Sequence, residues 1–212
     1  MSFEQKITGF QGQVLTLGIL MDLLKEYKWP HNKIAEMERK KILLPIKRGL
    51  YITGDALNLS KPSRFLIANH IYGPSYVTME AALSHWHFIP ERVSNVTSMT
   101  TGNSKKFATA TGLFRYMKTP LPYYSYGIRQ VEIAKDQVAL LASPEKAICD
   151  LIIGRAGVNL RSTVNTMDFL LEDLRIERHS LSELDSNDIK TWLKHAPKKS
   201  SIHMLIKTLE RL

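Results

Sequence analysis

The sequence predicts an α+β protein with a small N-terminal winged helix, complete or degenerate, and a larger domain in which helices flank an antiparallel sheet. Three observations carry this prediction. Helical periodicity runs through residues 14–40, strand-forming residues dominate 92–142, and helical periodicity then returns. A polar stretch between the first two regions has the composition of a linker. We therefore expect a winged-helix-like domain over residues 1–58 and a second α+β domain over 59–212.

The N-terminal part is predicted to hold two helices and a hairpin. Residues 14–27 present a broad apolar face. Pro30 suits the first turn of a second helix, which runs to about Lys40 and turns Ile34 and Met37 inward. Two short strands follow, joined at Gly49, which is free to take positive φ. Along these strands one face carries the alternating apolar residues Ile42, Leu44, Ile46, Leu50 and Ile52.

The second part is predicted to begin with two consecutive helices, over 63–73 and 74–89, with Pro74 and Ser75 opening the second. An antiparallel meander is expected over 92–142, because Val, Thr, Tyr and Phe recur there between turn residues. Ser143 is a predicted N-cap, followed by Pro144 at the first helical position. Three further helices are expected over the ranges 161–174, 186–196 and 200–211.

Composition places the chain among ordinary globular proteins, with 44% apolar and 23% charged residues among 212. No apolar run is long enough to span a membrane, and the N-terminus lacks the pattern of a secretory signal, so a cytoplasmic location is expected. The net charge is +9. Residues 28–48, 92–135 and 190–212 carry local charges of about +5, +6 and +5. Such basic stretches favour a polyanionic partner.

The sequence contains no pattern that identifies an enzyme. It has no glycine-rich phosphate loop, no Gly-x-Ser-x-Gly elbow and no HExxH motif. His85 and His87 are two positions apart, a poor arrangement for sharing a metal ion on a helix. Cys149 lies among apolar residues and is expected to pack as a small hydrophobe. We therefore predict no catalytic residues, no metal and no cofactor.

The strongest functional pattern is the basic helix followed by the hairpin. A helix over residues 30–40 can lie in a major groove while the hairpin tip binds the flanking phosphates. Arginine and lysine reach guanine edges and asparagine reaches adenine. A solvated, functionless helix face is an equally good interpretation of these charges from composition alone. The predicted DNA-binding residues are Asn32, Lys33, Arg39, Lys40, Lys47 and Arg48.

Four segments resemble the AbiEi family of antitoxins and transcriptional regulators from type IV toxin–antitoxin systems. In order they are KKILLPIKRGLY, GPSYVTMEAALSHWHFIPERVSNVTSMTT, FRYMK and ASPEKAICDLI, within residues 40–155. No single motif is decisive, but four in the family's order are fairly specific. The positions that match the family pattern are Lys47, Arg48, Gly49 and Tyr51 in the wing, Pro74, Ser75, Tyr76 and Glu80 in the first later motif, and Ser143, Pro144, Glu145 and Lys146 in the second.

The resemblance implies a DNA-binding autorepressor that recognises inverted repeats in its own operon promoter. It also implies an antitoxin activity in the larger domain, directed against a nucleotidyltransferase-like toxin without a stable complex. A homodimer is a further expectation that the sequence leaves open. We interpret the matches in the larger domain as mainly structural, with Tyr76 packed and its hydroxyl hydrogen-bonded.

The sequence departs from the family pattern at one point. A winged helix has three helices before the wing, and only two are predicted here. A second hypothesis therefore remains, in which a degenerate winged helix does not bind DNA and the protein acts as an interaction or antitoxin protein. A third and weaker one is an enzyme acting on nucleic acid through the basic sheet of residues 92–135.

Overall fold

The computed structural model describes residues 3–91 and 93–212. Its N-terminal module has three helices and a three-stranded antiparallel sheet in the order β1-β3-β2. Strands β2 and β3 form the predicted hairpin. In chain order the elements are α1 (Phe3–Thr8), β1 (Leu15–Thr16), α2 (Leu17–Leu23), α3 (Pro30–Arg39), β2 (Leu43–Lys47) and β3 (Leu50–Thr53).

The prediction of one helix over 14–27 is wrong. Leu15 and Thr16 instead pair with Tyr51 and Leu50 of β3. The Thr16 side chain accepts a hydrogen bond from the Ile19 amide, so α2 begins only at Leu17. The short helix α1 was not predicted. Three helices therefore precede the wing, and the missing helix that suggested a degenerate domain is present.

A six-stranded sheet forms the centre of the larger part, in the order β6-β7-β5-β4-β9-β8. The α+β class is confirmed, but the sheet is mixed, because β4 pairs parallel to β9 and β5 parallel to β7. A simple meander would have placed only consecutive strands side by side. The elements are α4 (Arg64–Ile71), β4 (Ser75–Thr78), α5 (Met79–His85), β5 (Val96–Thr100), β6 (Lys105–Thr109), β7 (Gly112–Lys118), β8 (Ile128–Ala134) and β9 (Gln137–Ala142).

Strand β4 overturns the prediction that Pro74 and Ser75 open a helix over 74–89. All four residues of β4 are buried, and the strand lies between β5 and β9 in the sheet. Tertiary pairing overrides the local helical pattern here. Helix α5 starts only at Met79, whose backbone has a positive φ of 57°.

Five helices complete the chain. Ser143 is the N-cap of the first, with its side chain accepting a hydrogen bond from the Lys146 amide, as predicted. A π-helical turn over Phe169–Asp173 extends the second. No helix in the described ranges is both long and apolar enough to cross a membrane. The helices are α6 (Pro144–Gly154), α7 (Thr163–Asp168), α8 (Arg178–Ser182), α9 (Ser186–Leu193) and α10 (Lys199–Leu209).

Three apolar clusters hold the elements together. One lies between a face of the large sheet and the helices from α5 onwards. Another lies within the N-terminal module. The third joins Ile46 and Ile52 of the hairpin to α4 and to Phe114 on the opposite face of the sheet. This third cluster crosses the predicted domain boundary near residue 58, which itself remains a prediction.

Candidate nucleic-acid interface

Helix α3 presents the face on which the DNA-binding prediction depends. Pro30 occupies its first turn, and Ile34 and Met37 are buried against the module, as predicted. The opposite side exposes Asn32 and Arg39 to solvent. The structure therefore brings two of the predicted contacts together on one accessible helix face.

Glu36 lies in the middle of this basic face and pairs with two of its lysines. Its carboxylate is 3.0 Å from the Lys33 ammonium and 2.6 Å from that of Lys40. These two hydrogen-bonded cations, Lys40 first, lower the pKa of Glu36 to about 2. Lys33 and Lys40 were both predicted DNA contacts, and each now has an acidic partner. The sequence indicated their charges but not this pairing.

The two cations of the hairpin tip, Lys47 and Arg48, differ in their contacts with the described residues. Gly49 takes a φ of 78°, as its place in the bend predicts, and its carbonyl accepts a hydrogen bond of 2.9 Å from the Leu17 amide. Arg48 is exposed, and within the described residues neither it nor Arg39 forms an ion pair. The Lys47 ammonium instead donates to the carbonyl oxygen of Ile71, at the end of α4.

An exposed aromatic residue beside α3 was not predicted as part of the site. Trp29 precedes the helix and is 66% exposed, and the Lys28 ammonium lies 5.6 Å from the centre of its ring. Tyr27, Asn32 and Arg39 share a shallow groove of about 420 Å³ with this pair. The signal in the sequence was a tryptophan in the polar surroundings of a predicted helix–helix connection.

A buried polar network lies in the larger part, and four of its members, Tyr76, Thr78, Lys146 and Asp150, come from the second and fourth family-like segments. The Asp150 carboxylate accepts hydrogen bonds from Tyr76 (3.0 Å), Thr78 (2.7 Å) and Tyr123 (2.9 Å). The Lys146 ammonium is 3.4 Å from the same carboxylate and donates to the Tyr123 carbonyl at 2.9 Å. The prediction that Tyr76 packs with a bonded hydroxyl is confirmed. Its partner Asp150 was not identified from the sequence.

This network is too enclosed to act as a reactive site. Lys146 and Asp150 have no exposed surface, and burial lowers the pKa of Lys146. The neighbouring Cys149 is also fully buried, and burial raises the pKa of its thiol to about 12. A thiol in that state is not a nucleophile at neutral pH. The buried hydrogen-bond network around Asp150 therefore helps to fix the packing of α6 against β4.

Comparison with known proteins bears on the fold alone. No family model and no curated protein matches this chain. A similar solved structure is the crystal structure of the RV2827C protein from Mycobacterium tuberculosis, with a TM-score of 0.60 and 12% sequence identity. The superposition covers 97% of this chain and 75% of that one. The two chains therefore share a fold that includes the N-terminal module and the large sheet.

Replacing Glu36 with glutamine should strengthen DNA binding if α3 enters the groove. The change removes a negative charge that faces phosphate and releases Lys33 and Lys40 from their ion pairs. We expect a gain of about fivefold at 0.15 M salt for each lysine that then reaches a phosphate, and a steeper salt dependence. Fluorescence anisotropy with labelled duplex DNA measures both.

Glu38→Gln is the matched control, because it makes the same charge change on the same helix and Glu38 forms no ion pair with the described residues. Weaker binding by the Glu36 variant would contradict the prediction and show that Glu36 positions the helix or contacts a base itself.

Proposed function

We propose that the protein is an AbiEi-type antitoxin that represses its own operon by binding DNA. The observation that carries the proposal is the complete winged-helix order, with an accessible polar face on α3 and, at the hairpin tip, an arginine that forms no ion pair with any described residue. The four family-like segments support the antitoxin assignment. The proposal assigns no catalysis to the chain and places it in the cytoplasm.

In this proposal α3 lies in the major groove. Arg39 has the donor geometry for guanine and Asn32 for adenine. Arg48 binds a phosphate beside the groove and fixes the register. Inverted repeats in the operon promoter would each take one copy of the protein, either independently or as a dimer. The larger domain would counter a nucleotidyltransferase-like toxin without a lasting complex.

The direct test is a titration of the full chain with the DNA upstream of its own gene. Specific binding should exceed that of an unrelated duplex by at least about 10³-fold at physiological salt. A footprint should cover two inverted half-sites. Equal affinity for both duplexes, or no shift at micromolar protein, would contradict the repressor proposal.

One observation favours the alternative of a winged helix that packs internally and binds no DNA. Lys47 is bonded to Ile71, and Ile46 and Ile52 pack against α4, so one side of the hairpin is used for internal contacts. In that case the protein is an interaction or antitoxin protein. The upstream titration separates the two proposals, because the alternative expects only weak, sequence-independent binding.

Lys47→Met tests which role this lysine has. Because its ammonium already serves the Ile71 carbonyl at the end of a helix, we expect the slope of DNA affinity against salt to stay unchanged. Stability should fall by about 1.5–3 kcal/mol, the usual value of a hydrogen bond that involves a charged group. Urea unfolding and salt-dependent anisotropy measure the two effects. A slope reduced by about one unit would show that Lys47 leaves Ile71 to bind phosphate.

A further inference from the structure

A second site lies on the large sheet, away from the N-terminal module. A cleft of about 630 Å³ opens over strands β5, β7 and β6. Phe114 and Tyr116 of β7 belong to the cluster that contains α4, so the alternation of the strand directs Arg115 and Met117 to the other face. That face carries helices over its centre, but Arg115 is exposed. This end of the face is open to a ligand.

Two cations are placed directly opposite each other in the cleft. Arg115 of β7 is in register with Lys106 of β6 on one side and with Thr97 of β5 on the other. Like charges directly opposite on neighbouring strands are unfavourable. Within the described residues, neither Arg115 nor Lys106 makes a side-chain hydrogen bond or an ion pair. No ion pair among the described residues therefore neutralises either charge.

A third cation is held in place at the cleft. Arg155 follows the end of α6, and its guanidinium donates to the Glu80 carboxylate at 2.6 Å. Both residues line the cleft. Glu80 is the second residue of α5, so its position is set by the start of that helix. Lys105 also lines the cleft, so its four cations and one carboxylate leave a net charge of +3.

The backbone at the start of α5 is strained. Met79 has a φ of 57°, in the left-handed region that a bulky side chain rarely adopts, at a cost of order 1–3 kcal/mol. Its side chain packs beside Met117 and Gly154, and these residues give the cleft an apolar wall. The strained backbone of Met79 and the opposed cations Arg115 and Lys106 thus lie at the same cleft. Such departures from local stability are typical of functional sites.

The shape and charge of the cleft define the class of its ligand. A volume of about 630 Å³ suits a small organic molecule better than an extended chain. The adjoining cleft shares Glu80, Thr97, Arg115 and Arg155 and continues to Asp173 and to Glu91, which pairs with Arg175, so carboxylates bound the basic region on that side. A long polyanion following the groove would meet these negative charges. A compact polyanion with an apolar body fits both the cations and the methionine wall.

We propose that this cleft binds a nucleoside polyphosphate. The phosphates lie against Arg115 and Lys106, where they neutralise the opposed charges, and the base lies against Met79 and Met117. Arginine is well suited to phosphate because its guanidinium can donate two parallel hydrogen bonds. The site involves binding only and does not depend on DNA binding by the winged helix.

The test uses the full chain and isothermal titration calorimetry with ATP, GTP, CTP and UTP, with inorganic tripolyphosphate and adenosine as partial ligands. We expect at least one nucleotide to bind, and both partial ligands to bind at least tenfold more weakly than that nucleotide. Arg115→Gln with Lys106→Gln should weaken binding at least tenfold. Lys135→Gln with Arg161→Gln removes the same charge from exposed positions outside the cleft and should leave the affinity unchanged.

A second readout needs no ligand. The Arg115 and Lys106 double variant should melt at a higher temperature than the native chain, because it relieves the repulsion, and circular dichroism verifies its fold. A dissociation constant of about 1 mM corresponds to very weak binding. The proposal would therefore be overturned if none of the four nucleotides bound at about this concentration. Equal loss in both double variants, or tripolyphosphate binding as tightly as any nucleotide, would also overturn it. The proposal would also be overturned if a single-stranded oligonucleotide bound to the same residues much more tightly than any of the four nucleotides.

Discussion

Replacing Asp150 with alanine is expected to destabilise the protein by about 3–5 kcal/mol, the usual cost of breaking a buried charged pair. The substitution leaves Lys146 as a buried cation without its carboxylate. It also leaves the hydroxyls of Tyr76, Thr78 and Tyr123 without their acceptor. These groups lie inside the core between β4 and α6, where water cannot replace the lost partner.

Urea unfolding followed by circular dichroism measures this effect. Glu132→Ala is a suitable control, since it removes a carboxylate from an exposed position and should change stability by less than about 0.5 kcal/mol. The double variant Asp150→Leu with Lys146→Met should recover part of the loss, because no unpaired charge then remains buried. A loss below about 1 kcal/mol for Asp150→Ala would show that the network contributes little.

Replacing Arg39 and Arg48 together with glutamine is expected to lower DNA affinity by about 30-fold at 0.15 M salt. The estimate counts only the charge of each arginine, equivalent to about 5.5-fold through counterion release, and leaves out the guanine contact proposed for Arg39. The slope of affinity against salt should fall by about two units. Both guanidinium groups are exposed and have no acidic partner among the described residues, so their removal should leave the fold intact.

Anisotropy titrations at several salt concentrations provide the measurement. Lys194→Gln with Lys199→Gln is the matched control, because it removes the same charge from exposed positions in the C-terminal helical region. If the two double variants had equal slopes, long-range charge rather than contact would explain the binding. If neither differed from the native chain, the face of α3 and the hairpin tip would not be the interface.

The sequence correctly predicted the elements that are determined by residues close to one another in the chain. Pro30 and the buried pair Ile34 and Met37 identified α3, Gly49 identified the hairpin bend, and Ser143 identified the start of α6. Helix α1 escaped prediction because a helix of six residues carries little periodicity. Strand β4 escaped it because its pairing with β5 and β9 depends on chain segments distant in sequence.

The same distinction applies to the sites. Residue type and helical spacing placed Asn32 and Arg39 on one exposed face, but composition could not show that Glu36 pairs with two of the neighbouring lysines. Two of the donors to Asp150, Tyr76 and Thr78, lie 74 and 72 positions away from it in the sequence, and Tyr123 lies 27 positions away. The opposition of Arg115 and Lys106 follows from strand register, which no short motif encodes.

The apolar contacts between the hairpin and α4 limit how the N-terminal module can move relative to the large sheet. Ile46 and Ile52 share their core with Phe114 of the large sheet, and the Lys47 ammonium donates a hydrogen bond to the carbonyl of Ile71. The N-terminal module is therefore held against α4 and the large sheet by these contacts, and not by residues 54–63 alone. If α3 binds DNA as proposed, the angle at which it meets the double helix would also set the direction in which the larger part of the protein projects from the DNA.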